Sequence, residues 1–216
     1  MLLPTAKLFY LFLTKMQAKV NGEKGVRFDA KNLAVMAVMA ALLIGAQFAL
    51  SFVAGVELVT LLLCAFCVVF GVKRGVITAV AFSVLRCLIF GFTLNVVVLY
   101  LFYFPTLAVV VGFYGKLINK TFAVDKNPVK RVLNAKSVIV FIGLIAIVAA
   151  MTCLFTMVDN IVAPFIMGFS ATSAKIYFIN SLPVMLTHMI STTVSVALLF
   201  FHIYKAMKYI KESMRV

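Results

Sequence analysis

The sequence predicts an all-α integral membrane protein with six transmembrane helices and both termini cytoplasmic. Three observations carry that expectation. Hydrophobic residues fill 65% of the 216 positions and mean hydropathy is +1.17, whereas a soluble domain of this length is nearer half apolar. Several apolar runs reach the ~20 residues a helix needs to cross a bilayer's hydrocarbon core, without the period-two alternation of barrel strands. Lys and Arg concentrate in alternate connections between those runs, the asymmetry that keeps basic segments in the cytoplasm.

The elements follow in order. Residues 1–27 form an N-terminal segment, cytoplasmic or interfacial. Its start, "MLLPTAKLFYLFLT", is apolar but interrupted by Pro4 and Lys7, and it lacks the basic start and small-residue cleavage site of a secretory signal. Residues 28–205 form the membrane domain, with helices expected over about 33–53, 57–71, 75–92, 95–115, 137–158 and 177–204. The second is short for a span unless it begins near Phe52, and the last is long enough to extend past the membrane. Residues 206–216 form a basic cytoplasmic tail.

Charge placement orients these helices. Lys7, Lys15, Lys19, Lys24, Arg27 and Lys31 precede the first helix, and Lys73 and Arg74 lie between the second and third. Lys116, Lys120, Lys126, Lys130, Arg131 and Lys136 lie between the fourth and fifth, and Lys205, Lys208, Lys211 and Arg215 follow the sixth. The opposite side keeps only Lys175, and Arg86 falls within the third helix. A five- or seven-span arrangement would scramble this pattern. The net charge of +14 is therefore a topology signal, and no nucleic-acid partner is expected.

In the first helix, "AKNLAVMAVMAALLIGAQFA", the small residues Ala30, Ala34, Ala37, Ala41 and Gly45 recur at helical spacing on one stripe. Such a stripe lets another helix approach closely, either within this bundle or from a partner. Met36 and Met39 are expected to flank it as adaptable contacts. Gly71 and Gly75 share the GxxxG spacing but straddle an expected Lys73–Arg74 loop, so they carry no weight as a packing motif.

Several chemistries are missing. There is no GxxxxGK[ST] phosphate loop and no HExxH zinc motif, so neither ATP hydrolysis by that route nor metalloprotease action is expected. "MGFSA" around Ser170 lacks the second glycine of a nucleophile elbow. Cys64, Cys67, Cys87 and Cys153 all fall in apolar runs and read as buried thiols, including the CxxC of "CAFC". No enzyme activity, cofactor or metal is expected.

The polar residues inside the apolar runs are the candidates for binding, because intramembrane charges are costly and by default functional. Arg86 stands twelve residues beyond Arg74, ~18 Å along the third helix at 1.5 Å per residue, in the outer half. It pairs with Glu57 or contacts a ligand. Glu57, in "GVELVT", stands at the outer end of the second helix, where it is wet, orients Arg86 or touches ligand. Asn95 opens the fourth helix and caps it or binds. Tyr100 and Tyr103 could wall a site. Asn180, Thr187 and His188 descend from the outer end of the sixth helix, and the hydroxyl run "STTVS" (191–195) continues toward the middle.

The helix-one stripe, "GVELVTLLLCAFCVVFGVKRG" (55–75), "LRCLIFGFT" (85–93) and "LPVMLTHMIST" (182–192) together resemble the substrate-binding (S) component of energy-coupling-factor transporters, prokaryotic vitamin-uptake systems. The resemblance runs from about Phe28 to Lys205. It implies a high-affinity membrane-embedded receptor for a vitamin or related small molecule, bound at the outer side by Arg86, Glu57, Asn95, His188, Tyr100 and Asn180. It implies partners too: a transmembrane coupling subunit, docked on Ala34, Ala37, Ala41 and Gly45, and two cytoplasmic ATPases, in the cell membrane of a prokaryote. The outer loop 159–175 becomes an expected lid. In that family an acidic residue often stands where Arg86 is here, and a buried guanidinium instead favours a carboxylate or phosphate. The alternative is a self-sufficient secondary carrier driven by an ion gradient, which would often show internal repeats or interrupted helices. Pro105 and Pro183 are the candidate interruptions.

Overall fold

The computed structural model describes residues 29–50, 52, 58–91, 94–123 and 135–214. They form six helices: α1 (Ala30–Leu50), α2 (Val59–Phe70), α3 (Val72–Phe90), α4 (Leu94–Ala123), α5 (Ala135–Ile166) and α6 (Ala171–Ser213). No strand occurs among the described residues. Four stretches are long and apolar enough to cross a membrane: α1, Val96–Phe122 within α4, α5 and α6. The chain is thus an all-helical, multi-pass membrane protein. Its outer faces carry large apolar side chains, such as Val38, Ile139, Leu198 and Phe165, which are stable against lipid but would drive aggregation in water.

The centre of the bundle is α2. Its sequence, "VTLLLCAFCVVF", is apolar on every side, and all its side chains except Leu62 are buried. A helix of that composition belongs inside, and α1, α3, α4 and α6 all pack on it. At twelve residues it is about 18 Å long, too short to span alone.

The chain leaves α2 through Gly71 alone. Its φ of 88° is disfavoured for residues with a side chain, and its N–H donates to the Cys67 carbonyl at 2.9 Å. Lys73 and Arg74, expected in a loop, lie instead in the first turn of α3. The reversal places Gly75 against α2, where a Cβ would meet Cys67 Sγ at 2.5 Å. A Cβ on Gly71 would meet nothing within 4 Å, so the two glycines do not act as a packing pair, and Gly75 by itself marks a close approach. Across from it, a Cβ on Gly115 of α4 would sit 2.7 Å from Val68 Cα, and one on Gly112 would sit 2.9 Å from Val72 Cα.

Side chains satisfy the carbonyls that α2 leaves open at this end. The last C=O groups of any helix lack intrahelical partners, and in an apolar interior each is costly to leave so. Asn119 Nδ2 donates to the Val68 carbonyl at 2.6 Å, and Lys211 Nζ donates to that of Val69. Tyr204 Oη in turn donates to Asn119 Oδ1 at 2.8 Å. A cation at a helix C-terminus also meets the favourable end of the helix dipole. Residues of α2, α4 and α6 are thereby tied together at one level, and heights along the bundle can be counted from it.

The last three helices are longer than expected. α5 continues through Asp159 and Asn160, past the expected end near 158, because "IVAPFI" stays apolar and Asn160 is buried. Pro164 costs that last turn only one hydrogen bond. Ser170 then caps α6, its hydroxyl accepting from Ser173 N–H at 3.3 Å, as helix starts favour. The expected 159–175 loop is therefore mostly helix, with only residues 167–170 between α5 and α6. Pro105 and Pro183 do not interrupt α4 or α6, both of which run on as single helices.

Candidate functional site

Two regions at different places on the bundle carry the candidate residues. The first lies at the end opposite Gly71, where α3, α4 and α5 meet. Arg86 is half-buried on α3. Its guanidinium carbon lies 4.1 Å from the ring centre of Phe90 and 5.0 Å from that of Tyr100. Its Nε is buried and has no hydrogen-bond partner among the described residues. Cation–π contact with two rings holds the group in place and leaves N–H donors that an anion could take in a bidentate contact.

Tyr100 joins this arginine to an aromatic cluster. Its ring centre is 5.1 Å from Phe104 and 6.1 Å from Phe155, and Tyr103 lies 4.2 Å from Phe155. Phe82 closes edge-on against Phe104 at 5.0 Å. Two polar contacts fix the position of Tyr100. Gln47 Nε2 of α1 donates to Tyr100 Oη at 3.0 Å, and Ser83 Oγ lies 2.8 Å from the carbonyls of both Ala79 and Tyr100. Aromatic pairs of this kind add about 0.5–1.5 kcal/mol each beyond burial, so the platform under Arg86 is rigid. A hollow of about 270 Å³ lies beside the cluster between α4 and α5, lined by Val98, Phe102, Tyr103, Thr106, Leu154 and Phe155 among others.

The structure therefore brings Arg86 and Tyr100 together. Glu57 and any pairing it makes lie outside the described residues. Asn95 sits in the first turn of α4, and its side chain is likewise outside them. His188 is half-buried on α6, and Asn180, about 12 Å further along that helix, is exposed. Sequence reasoning missed Gln47, Phe90 and Phe155. Gln47 could have been found as the lone amide in the apolar half of α1, but Phe90 and Phe155 look like any membrane phenylalanine. Four further threonine hydroxyls are fully or almost fully buried, Thr60 on α2, Thr78 on α3, Thr152 on α5 and Thr192 on α6. None has a partner among the described residues. Buried polar groups are nearly always bonded, so these four are donors and acceptors that the described residues leave open. Thr192 belongs to the expected hydroxyl run. The cysteines Cys64, Cys67 and Cys87 are buried and in no disulfide, and no group that could hold a metal occurs among the described residues.

The second region is the outer face of α1. Ala30, Ala34, Ala37, Ala41 and Gly45 are all exposed, and a Cβ on Gly45 would meet nothing within 4 Å. The described helices do not pack on the stripe. The opposite side of α1 packs against the bundle through Met36, Met39, Ala40 and Leu43. The two methionines thus face the core rather than flanking the stripe, because they stand roughly half a turn away from it on the helical wheel.

Compared with known proteins, the chain matches no family model, no curated protein sequence and no solved structure.

Proposed function

We propose that this protein is a membrane-embedded binding subunit for a small molecule, the substrate-specificity component of an ATP-driven importer of the energy-coupling-factor type. The observation that carries the reading is the exposed stripe of α1. Five small residues at helical spacing, none covered by the described helices, form a surface on which a second helix can come close. In lipid that close approach is what drives helices to associate. A self-sufficient carrier has no need of such a face, and the uninterrupted α4 and α6 offer none of the broken helices that carriers use.

The ligand end of this reading is the Arg86–Tyr100 platform. The positive-inside bias puts it on the outer side, with six spans and both termini cytoplasmic. A guanidinium set between two rings suits a ligand with a carboxylate or phosphate group. Thr60, Thr152 and Thr192 supply further hydrogen-bonding groups. The energy comes from partners: a transmembrane coupling subunit against Ala34, Ala37, Ala41 and Gly45, and two cytoplasmic ATPases.

Co-purification tests the docking. Ala37→Trp and Ala41→Trp should abolish recovery of the chain with a co-expressed coupling subunit while the purified variants elute as the parent does. Full recovery of the complex with both variants would refute docking on this face.

A further inference from the structure

A further apolar feature lies at the basic end of the bundle, away from the arginine platform and beside the α1 stripe, with which it shares Ala34. A groove of about 280 Å³ runs between α1, α2 and α6, lined by apolar side chains such as Ala34, Val38, Leu42, Phe70, Met207 and Ile210. From Ala34 to Leu42 it follows α1 for about 12 Å. Val38, Leu42 and Ile210 are exposed, so the groove is open along its side to the hydrocarbon.

The end of the groove is charged. Phe70 forms part of its wall, and two cations stand over that same ring. Arg74 has its guanidinium carbon 5.9 Å from the ring centre, and Lys211 has its Nζ 5.8 Å away. Arg74 and Lys208 are near enough to act on Lys211 electrostatically. Lys211 uses one donor on the Val69 carbonyl, and an ammonium has three. The acidic residues at this end, among those described, are Asp29 at the start of α1 and Glu212, whose carboxylate is 4.0 Å from Lys208 Nζ. Positive charge prevails around Phe70.

We propose that this groove is a binding site for one anionic glycerophospholipid, with an acyl chain along α1 between Val38 and Ile210 and the phosphate on Arg74, Lys208 and Lys211. Apart from Ala34 the wall is made of larger side chains, which hold a helix backbone at a distance. An acyl chain needs only the apolar wall, and its phosphate meets the cations where the wall ends. Basic pockets between helices on the cytoplasmic side take anionic head groups in this way. A lipid seated here would screen three like charges that otherwise repel each other, and it would brace α1 against α2 and α6.

The test is native mass spectrometry of the full chain released from nanodiscs of equimolar phosphatidylcholine and phosphatidylglycerol. One phosphatidylglycerol should be retained in preference to phosphatidylcholine. Arg74→Gln and Lys208→Gln should each lower that preference by about fivefold. Neither residue caps α2, so folding should survive, as elution position would show. Val38→Trp, at an exposed position, should reduce retention of both lipids. Equal retention of the two lipids by the parent protein, or an unchanged preference in both charge variants, would overturn the proposal.

Discussion

At the residue scale the account rests on Arg86. Its guanidinium is placed by Phe90 and Tyr100, and Tyr100 is placed by Gln47. Arg86→Ala should weaken binding of an anionic ligand at least tenfold, for about 1.5–3 kcal/mol lost with a charged hydrogen bond. Arg86→Lys should fall between the two, since it keeps the charge but loses the planar fork. Calorimetry on purified protein, with thermal unfolding as the folding control, reads both. Equal losses of stability and binding in Arg86→Ala would instead indicate a structural ion pair. The arginine was legible in the sequence because a charge in an apolar run stands out. Its partners were not, because Phe90 and Phe155 differ from other membrane phenylalanines only in what they touch. That is a matter of how α3, α4 and α5 pack, and no single run records it.

At the element scale, the existence of all six helices could be read from apolar run length, while their ends and neighbours could not. Asp159 and Asn160 looked like a helix terminus, yet Asn160 is buried and the helix continues for six more residues to Ile166. Lys73 and Arg74 looked like a loop, but one glycine with positive φ was enough for the reversal. The α1 stripe was legible by spacing alone, whereas its exposure depended on the fold. Two glycines give the contrast that tests this packing. Gly115→Leu should destabilise by about 1–3 kcal/mol or more, because even a Cβ there meets Val68 Cα at 2.7 Å. Gly45→Ala meets open space and should leave stability unchanged or slightly raised. Thermal unfolding in detergent distinguishes them, and equal effects would mean α2 and α4 do not approach as described.

At the scale of the whole molecule, a buried α2 ringed by longer helices gives one end rich in carbonyl-capping and cationic groups and another end holding the arginine platform. If the proposed orientation holds, a cysteine replacing Lys175 should react with an impermeant maleimide in intact cells. One replacing Lys116 should react only after permeabilisation. The native thiols are buried or half-buried and should give little background. The central claim, that this chain binds but does not itself drive transport, is tested most directly in proteoliposomes. The small molecule found with the purified protein by native mass spectrometry would be supplied outside, with ATP inside. Uptake should require both the coupling subunit with its ATPases and hydrolysable ATP, and should disappear with Ala37→Trp. Accumulation by the chain alone under an ion gradient would contradict the account.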